Sequence, residues 1–177
     1  MSKLEYLIAH CTATPAGRDI KKEDIIRWHT SPVSEGGRGW RSLGYSDMIY
    51  LDGSLINLTP FNQDDIVDPW EITNGAKGLN GKSRHFVYAG GLDIHPELCH
   101  MENLDELEFN EKYAPADTRT PAQLDTMDIY IKYMVKRHPH ILVGGHNQVS
   151  SKPCPSFNMT KYLRSIGVEE KNILVTR

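Results

Sequence analysis

Two short apolar runs, at opposite ends of the chain, each lead to a histidine. Residues 6–9 are followed directly by His10, and residues 141–143 are followed by two glycines and His146. Apolar runs of this length are typical of short buried strands, which deliver the next residue to the edge of a sheet. A fold that forms both strands is therefore expected to place His10 at a sheet edge and His146 on the loop that follows the second strand.

The segment 144–157 adds two more chemically active side chains. His146 is followed at short spacing by the ammonium of Lys152 and the thiol of Cys154. Histidine and cysteine are both zinc ligands, but a catalytic zinc site needs three protein ligands and one open position. His10 is the best candidate for the third ligand. That choice gives a site of two histidines and one cysteine.

Each of these residues also has an ordinary structural interpretation. A histidine at a strand end is more often a surface or core residue than a ligand, and most free cysteines behave as small buried hydrophobes. Pro153 and Pro155 flank Cys154 and fix its backbone, and Cys154 follows His146 closely. These two features favour a ligand at Cys154.

Composition limits the classes of function that remain. The 177 residues suit one domain, and a net charge of -3 offers no bulk attraction for nucleic acid. No run approaches the ~20 apolar residues that would insert into a membrane, and the first residues lead into a strand without a signal peptide. We therefore expect synthesis in the cytoplasm and a monomer. Three cysteines without a framework spacing argue against a disulfide scaffold.

The rest of the chain alternates between predicted strands and helices. In chain order these are a helix at 22–29, a hairpin at 44–56, a long loop at 59–81, a strand at 84–89, and helices that begin at Thr120 and Asn158. The helix at Thr120 is the clearest, because Thr120, Pro121 and Gln123 form a capping box. Residues 93–119 are expected to form an acidic, irregular insertion in a single domain that spans 1–177.

Several of these segments, in the same order, resemble one known family. They are His10 with residues 8–14, Gly44 and Tyr45, residues 76–83, Gly90 and Gly91, the helix start at Thr120, and residues 146–157. Together they resemble the zinc N-acetylmuramoyl-L-alanine amidases of the phage lysozyme type, which are similar in fold to the peptidoglycan recognition proteins. The resemblance implies an α/β fold, with a mixed central β-sheet flanked by helices and a metal at the floor of a groove.

The resemblance also implies a reaction and the residues that carry it out. His10, His146 and Cys154 would bind one Zn2+, and zinc-bound water would attack the amide between N-acetylmuramic acid and L-alanine in bacterial peptidoglycan. Lys152 would stabilise the oxyanion, and Tyr45 would orient the water or relay its proton. Taken alone, Lys152 is an ordinary solvated lysine and Tyr45 an ordinary strand tyrosine.

Substrate contacts are predicted on weaker grounds. An exposed Trp40 among basic residues would line a groove, whereas Asn80 and Ser83 either contact the substrate or serve the turns of their own loop. Two positions depart from the family pattern: Ser46 and Gly75 stand where relatives often have histidine. The remaining histidines, among them His29 at an exposed helix end, are interpreted as structural.

Two other functions are compatible with the same fold. One is a module that binds muropeptide without cleaving it, against which the presence of Cys154 argues. The other is a regulatory protein that binds RNA polymerase, as some phage members of the family do, although no residue here indicates such a surface. An enzyme without an export signal would act on the cell wall after release, or on wall fragments in the cytoplasm.

Overall fold

The computed structural model describes residues 1–175 of the chain. These residues form ten strands, most of them short: β1 (Ser2–Lys3), β2 (Tyr6–Cys11), β3 (Thr14–Pro15), β4 (Asp47–Ile49), β5 (Leu55–Asn57), β6 (Ile66–Val67), β7 (Ser83–Tyr88), β8 (Gly91–Ile94), β9 (Tyr113–Pro115) and β10 (Leu142–Gly145). The α-helices are α1 (Lys22–Thr30), α2 (Phe109–Lys112), α3 (Pro121–Arg137) and α4 (Met159–Ser165).

The central sheet has five strands in the order β10-β2-β7-β4-β5. The first four are parallel, and β5 pairs antiparallel with β4 as the second arm of the predicted hairpin. Parallel strands require covered faces, because their crossover connections lie on the sheet. This mixed sheet with flanking helices confirms the predicted fold class.

The two faces of the sheet contribute to different cores. Leu7, Phe86 and Tyr88 pack in the larger core with Met127 and Met134 of α3 and with residues of α4. On the other face, a smaller core collects Ile25 of α1 with Met48 of β4 and Val87 of β7. Side chains alternate between faces along a strand, so neighbouring residues of β4 and of β7 serve different cores.

The helix predicted at Thr120 forms as expected. The Thr120 hydroxyl accepts a hydrogen bond from the Gln123 backbone N–H at 3.1 Å, and the Gln123 side chain accepts one from the Thr120 backbone N–H at 2.9 Å. This reciprocal cap satisfies two N–H groups that the first turn of a helix leaves free. The Asn158 side chain likewise caps α4, as predicted.

A buried ion pair connects two strands of the central sheet with helix α3. Arg84 of β7 donates to both carboxylate oxygens of Asp47 on β4, at 2.6 and 2.7 Å, and the Tyr130 hydroxyl of α3 donates to the same carboxylate at 2.6 Å. Both charged side chains are almost fully buried. The bidentate geometry supplies the partners that buried charges require.

Residues 93–119 are less irregular than the sequence predicts. β8 pairs with β9 in a small sheet that β3 completes, and α2 precedes β9. The predicted long loop 59–81 likewise contributes β6, which pairs with β1. Strands of two to four residues are too short to show a period of two. Within residues 1–175, none of the helices is long and apolar enough to cross a membrane.

Candidate metal centre and its cleft

His10 and His146 meet at the carboxyl ends of two parallel strands. His10 lies near the end of β2, and His146 follows the last residue of β10. The strand register pairs Gly145 with Ala9, so His146, the next residue along the chain, lies beside His10. The two ring centroids are 4.6 Å apart. The predicted convergence of these imidazoles is therefore present.

The loop after β10 brings Cys154 to the same point. The Asn147 N–H donates to the Cys154 carbonyl at 2.6 Å, and the Tyr88 hydroxyl donates to the Pro155 carbonyl at 2.8 Å. The Cys11 backbone N–H also faces the Cys154 sulfur at 3.3 Å. Backbone contacts from both sides thus hold the thiol beside the imidazoles.

The three side chains have the spacing of a metal centre. One ligand atom from each of His10, His146 and Cys154 lies within 4.8 Å of the others. Nδ1 of His10 and Sγ of Cys154 are 3.6 Å apart. Zinc–nitrogen and zinc–sulfur bonds of about 2.0 and 2.3 Å at a tetrahedral angle place these atoms about 3.5 Å apart. The donor set therefore fits a zinc ion.

Burial favours the neutral, metal-binding form of both histidines. Burial, with a contribution from the neighbouring histidines, holds the pKa of His10 well below its usual value, and burial lowers the pKa of His146. Both imidazoles are therefore neutral near pH 7, the form that binds metal. The contact with Cys11 and burial raise the pKa of the Cys154 thiol. A cation that binds here must displace the thiol proton.

Tyr45 and Lys152 lie in the cleft above this centre. The Tyr45 ring is 5.2 Å from the ring of His10, and burial raises the pKa of its phenol above the usual value. The phenol is therefore protonated near neutral pH and can donate a hydrogen bond. Lys152 is exposed, and within residues 1–175 its ammonium forms neither an ion pair nor a hydrogen bond. Its charge is available to a bound molecule.

The cleft has a volume of about 430 Å3. Its floor is the His10, His146 and Cys154 cluster, and its rim carries the cations Arg38, Lys77 and Lys152. Trp40 lines one wall and is half-buried rather than exposed. The Arg38 guanidinium lies 5.0 Å from its ring. A cleft of this size and polarity suits an extended polar ligand with anionic groups.

His29 is a cleft residue, and its predicted exposure is wrong. The ring is buried and packs against the rings of Trp40 and Tyr45, and its Nδ1 accepts a hydrogen bond from the Gly44 backbone N–H at 3.1 Å. These contacts come from the loop after α1, which folds back over the helix end. Helical periodicity around His29 carries no information about that loop.

Asn80 and Ser83 are not brought to the cleft. The Asn80 side chain accepts the Ala76 backbone N–H at 2.8 Å, and the buried Ser83 hydroxyl donates to the Leu79 carbonyl at 2.9 Å. Of the two interpretations that the sequence leaves open, the structure supports the one in which these side chains stabilise the turns of their own loop.

His85 is a site residue that the sequence does not identify. It lies on β7, is fully buried, and its Nδ1 is 3.0 Å from Nε2 of His10. Every residue of β7 is buried, so no alternation of polar and apolar residues indicates which side chains face the cleft. Only the pairing of β2 with β7 brings the two imidazoles together.

Both departures from the family pattern lie against His85. A Cβ atom on Gly75 would be 2.4 Å from Cγ and Nδ1 of His85, so any side chain at position 75 would collide with this ring. The hydroxyl of Ser46 accepts the backbone N–H of His85 at 3.2 Å. Gly75 therefore leaves the space that the imidazole of His85 occupies, and Ser46 binds the backbone of the same residue.

Comparison with known proteins identifies relatives along nearly the whole chain, although no family model matches it. The chain is 25% identical over 172 residues to the endolysins of Enterobacteria phage T3 and Escherichia phage T7, covering 97% of this chain and 89% of each endolysin. The structure of the N-acetylmuramoyl-L-alanine amidase LysC from Clostridium intestinale superposes with a TM-score of 0.61 at 16% identity, covering 94% of this chain and 87% of LysC.

A mutant of the Drosophila protein PGRP-LB, solved in complex with tracheal cytotoxin, superposes with a TM-score of 0.59 at 21% identity. The match covers 93% of this chain and 82% of that protein. The solved structures share the fold, and the endolysins align with 97% of this chain at 25% identity. On these grounds, the chain has the fold of the amidase LysC and of the peptidoglycan recognition proteins, and it is similar in sequence to phage endolysins along nearly its whole length.

Proposed function

We propose that this protein is a zinc-dependent N-acetylmuramoyl-L-alanine amidase, which hydrolyses the amide between N-acetylmuramic acid and L-alanine in peptidoglycan. The observation that carries the proposal is the convergence of His10, His146 and Cys154 within 4.8 Å at the floor of a cleft. A catalytic zinc site has three protein ligands and an open position, and because all three side chains line the cleft, a bound molecule there would have access to that position. The names of the endolysin and amidase relatives support the same reaction.

Amide hydrolysis requires an activated water molecule and a stabilised oxyanion. Bound zinc would lower the pKa of water and polarise the scissile carbonyl. The chain itself supplies the remaining groups. The Lys152 ammonium, which has no partner within residues 1–175, would neutralise the charge that develops on the carbonyl oxygen. The protonated Tyr45 phenol would orient the attacking water or pass a proton toward the leaving amine.

The cleft favours a peptidoglycan fragment as substrate. Arg38, Lys77 and Lys152 surround it with positive charge, which suits the carboxylates of a stem peptide, and Trp40 offers a flat apolar wall. The complex of a related peptidoglycan recognition protein with tracheal cytotoxin supports a ligand of this class. We further propose that the 1–177 chain is a single monomeric domain that acts on the cell wall after release, as the name endolysin implies for its relatives.

Mass analysis of the products from purified muropeptides tests this function. The zinc-reconstituted protein should release a free stem peptide that begins with L-alanine, and chelation followed by zinc addition should abolish and then restore the release. Cys154→Ser is the matched control, because it keeps the size of the side chain and removes the thiolate. If the zinc-loaded protein binds muropeptide and leaves it intact, the chain is a recognition module.

A further inference from the structure

The site contains one buried imidazole that the proposed reaction does not use. His85 is 0% exposed, and its only side-chain hydrogen bond within residues 1–175 is the 3.0 Å contact between its Nδ1 and Nε2 of His10. We propose that His85 is a positioning residue, which orients the ring of His10 and fixes its tautomer for metal binding. This inference rests on the proposed zinc site.

The hydrogen-bond geometry assigns the direction of the contact. Nδ1 of His10 faces the sulfur of Cys154 at 3.6 Å, so Nδ1 is the nitrogen that would bind a shared metal. A neutral imidazole that coordinates through Nδ1 carries its proton on Nε2. That proton lies on an atom 3.0 Å from Nδ1 of His85, which must therefore accept it. An outer partner of this kind orients a metal ligand and raises its basicity.

This arrangement leaves the second nitrogen of His85 without a partner. When Nδ1 accepts, Nε2 carries the proton, and within residues 1–175 this buried atom has no hydrogen-bond partner. An unpaired buried donor costs about 1–3 kcal/mol, so stability alone favours an apolar side chain at this position. The hydrogen bond that His85 accepts from His10 explains why an imidazole occupies position 85.

The surroundings of His85 hold the imidazole in place. Gly75 leaves room for the ring, since a Cβ atom there would lie 2.4 Å from it, and the Ser46 hydroxyl accepts the His85 backbone N–H. The backbone of β7 is paired on both edges, with β2 and with β4. The acceptor is therefore carried by a central strand, which positions it more rigidly than a loop would.

The test compares two substitutions at His85. His85→Leu fills similar space but removes the acceptor, whereas in His85→Asn the side-chain oxygen stands near the position of Nδ1 and keeps it. Competition with a chromophoric chelator measures zinc affinity directly. We expect His85→Leu to weaken zinc binding by roughly 10- to 100-fold, the usual effect of losing an outer partner, and His85→Asn to recover most of that loss.

His138→Leu is the matched control. His138 is also a buried imidazole whose Nε2 has no partner within residues 1–175, but its Nδ1 contacts Asp65, near the amino-terminal end of β2. Zinc affinity should be unchanged in this variant. If His85→Leu and His138→Leu both retain wild-type zinc affinity, or if Asn and Leu at position 85 behave alike, the positioning role is wrong.

Nuclear magnetic resonance of the zinc-loaded wild type gives an independent reading that needs no variant to fold. The His10 Nε2 proton should show a coupling across the hydrogen bond to Nδ1 of His85. A His10 ring with its proton on Nδ1 would overturn the inference. Failure of the proposed function is distinguishable, because a wild type that binds zinc tightly but cleaves no muropeptide leaves the effect on affinity intact.

Discussion

Arg84 and His85 are neighbours on β7, and their side chains enter opposite faces of the central sheet. Arg84 lies in a closed polar network, where Asp47 accepts two of its hydrogen bonds and Tyr130 donates to the same carboxylate. His85 lies beside the cluster of His10, His146 and Cys154, which lines a cleft and is accessible to a bound molecule. Buried charges that are paired with each other stabilise the fold. Buried side chains whose potential metal-ligand atoms converge on one point, as in this cluster, indicate the candidate metal centre.

The largest expected effect on stability comes from opening the closed network. Asp47→Ala leaves the Arg84 guanidinium buried without its carboxylate, which should lower the free energy of unfolding by about 3–5 kcal/mol. Because the network lies on the opposite face of the sheet, zinc affinity of the folded protein should not change. Denaturant unfolding and chelator competition on the same sample separate the two effects. A parallel loss of zinc affinity would show that the faces are coupled.

On the cleft face, a charge can be removed with little effect on stability. Lys152→Met should lower kcat by roughly 10²- to 10³-fold, as expected for the loss of one oxyanion-stabilising group. The exposed side chain has no internal partner within residues 1–175, so unfolding and zinc content should match the wild type. Turnover of purified muropeptide is the measurement. Near-normal turnover with zinc bound would remove Lys152 from the chemistry.

A smaller effect is expected from filling the space beside His85. Gly75→Ala places a Cβ atom 2.4 Å from the His85 ring, and such overpacking should cost about 1–3 kcal/mol. In a His85→Ala background the ring is absent and the 2.8 Å approach to the Gly44 carbonyl oxygen remains, so the same substitution should cost less but still destabilise. Unfolding of the four proteins in this double-mutant cycle measures the coupling. Equal costs in both backgrounds would contradict the assigned contact.

Per pH unit, the smallest expected change is the pH dependence contributed by one imidazole. Burial lowers the pKa of His85 to about 3, whereas the unfolded value is about 6.5. Between these values the unfolded chain binds one more proton, so this contribution is complete above pH 6.5 and is lost as pH falls toward 3. In the metal-free protein, the free energy of unfolding should fall by about 1.4 kcal/mol per pH unit more than in His85→Leu. Identical slopes would contradict the buried neutral state.

Much of this arrangement can be predicted from the sequence, because it depends on local signals. The runs before His10 and His146, the capping box at Thr120, and the prolines around Cys154 each act within a few residues. The rule that parallel strands end at a common edge then brings the distant histidines together.

The rest depends on strand pairing and on loop packing, which leave no local pattern. His85 sits in a strand where every residue is buried, so its face is set only by the register with β2. His29 is covered by the loop that carries Trp40 and Gly44. The roles of Ser46 and Gly75 follow only from the position of His85, and their sequence context gives no indication of it.

X-ray absorption at the zinc edge tests the metal centre most directly. On the protein reconstituted with one equivalent of zinc, the expected spectrum contains one sulfur at about 2.3 Å and two imidazole nitrogens at about 2.0–2.1 Å, with a light atom completing the shell. In Cys154→Ser the sulfur scattering should disappear. A wild-type spectrum without sulfur, or one that Cys154→Ser leaves unchanged, would contradict a zinc ion shared by His10, His146 and Cys154.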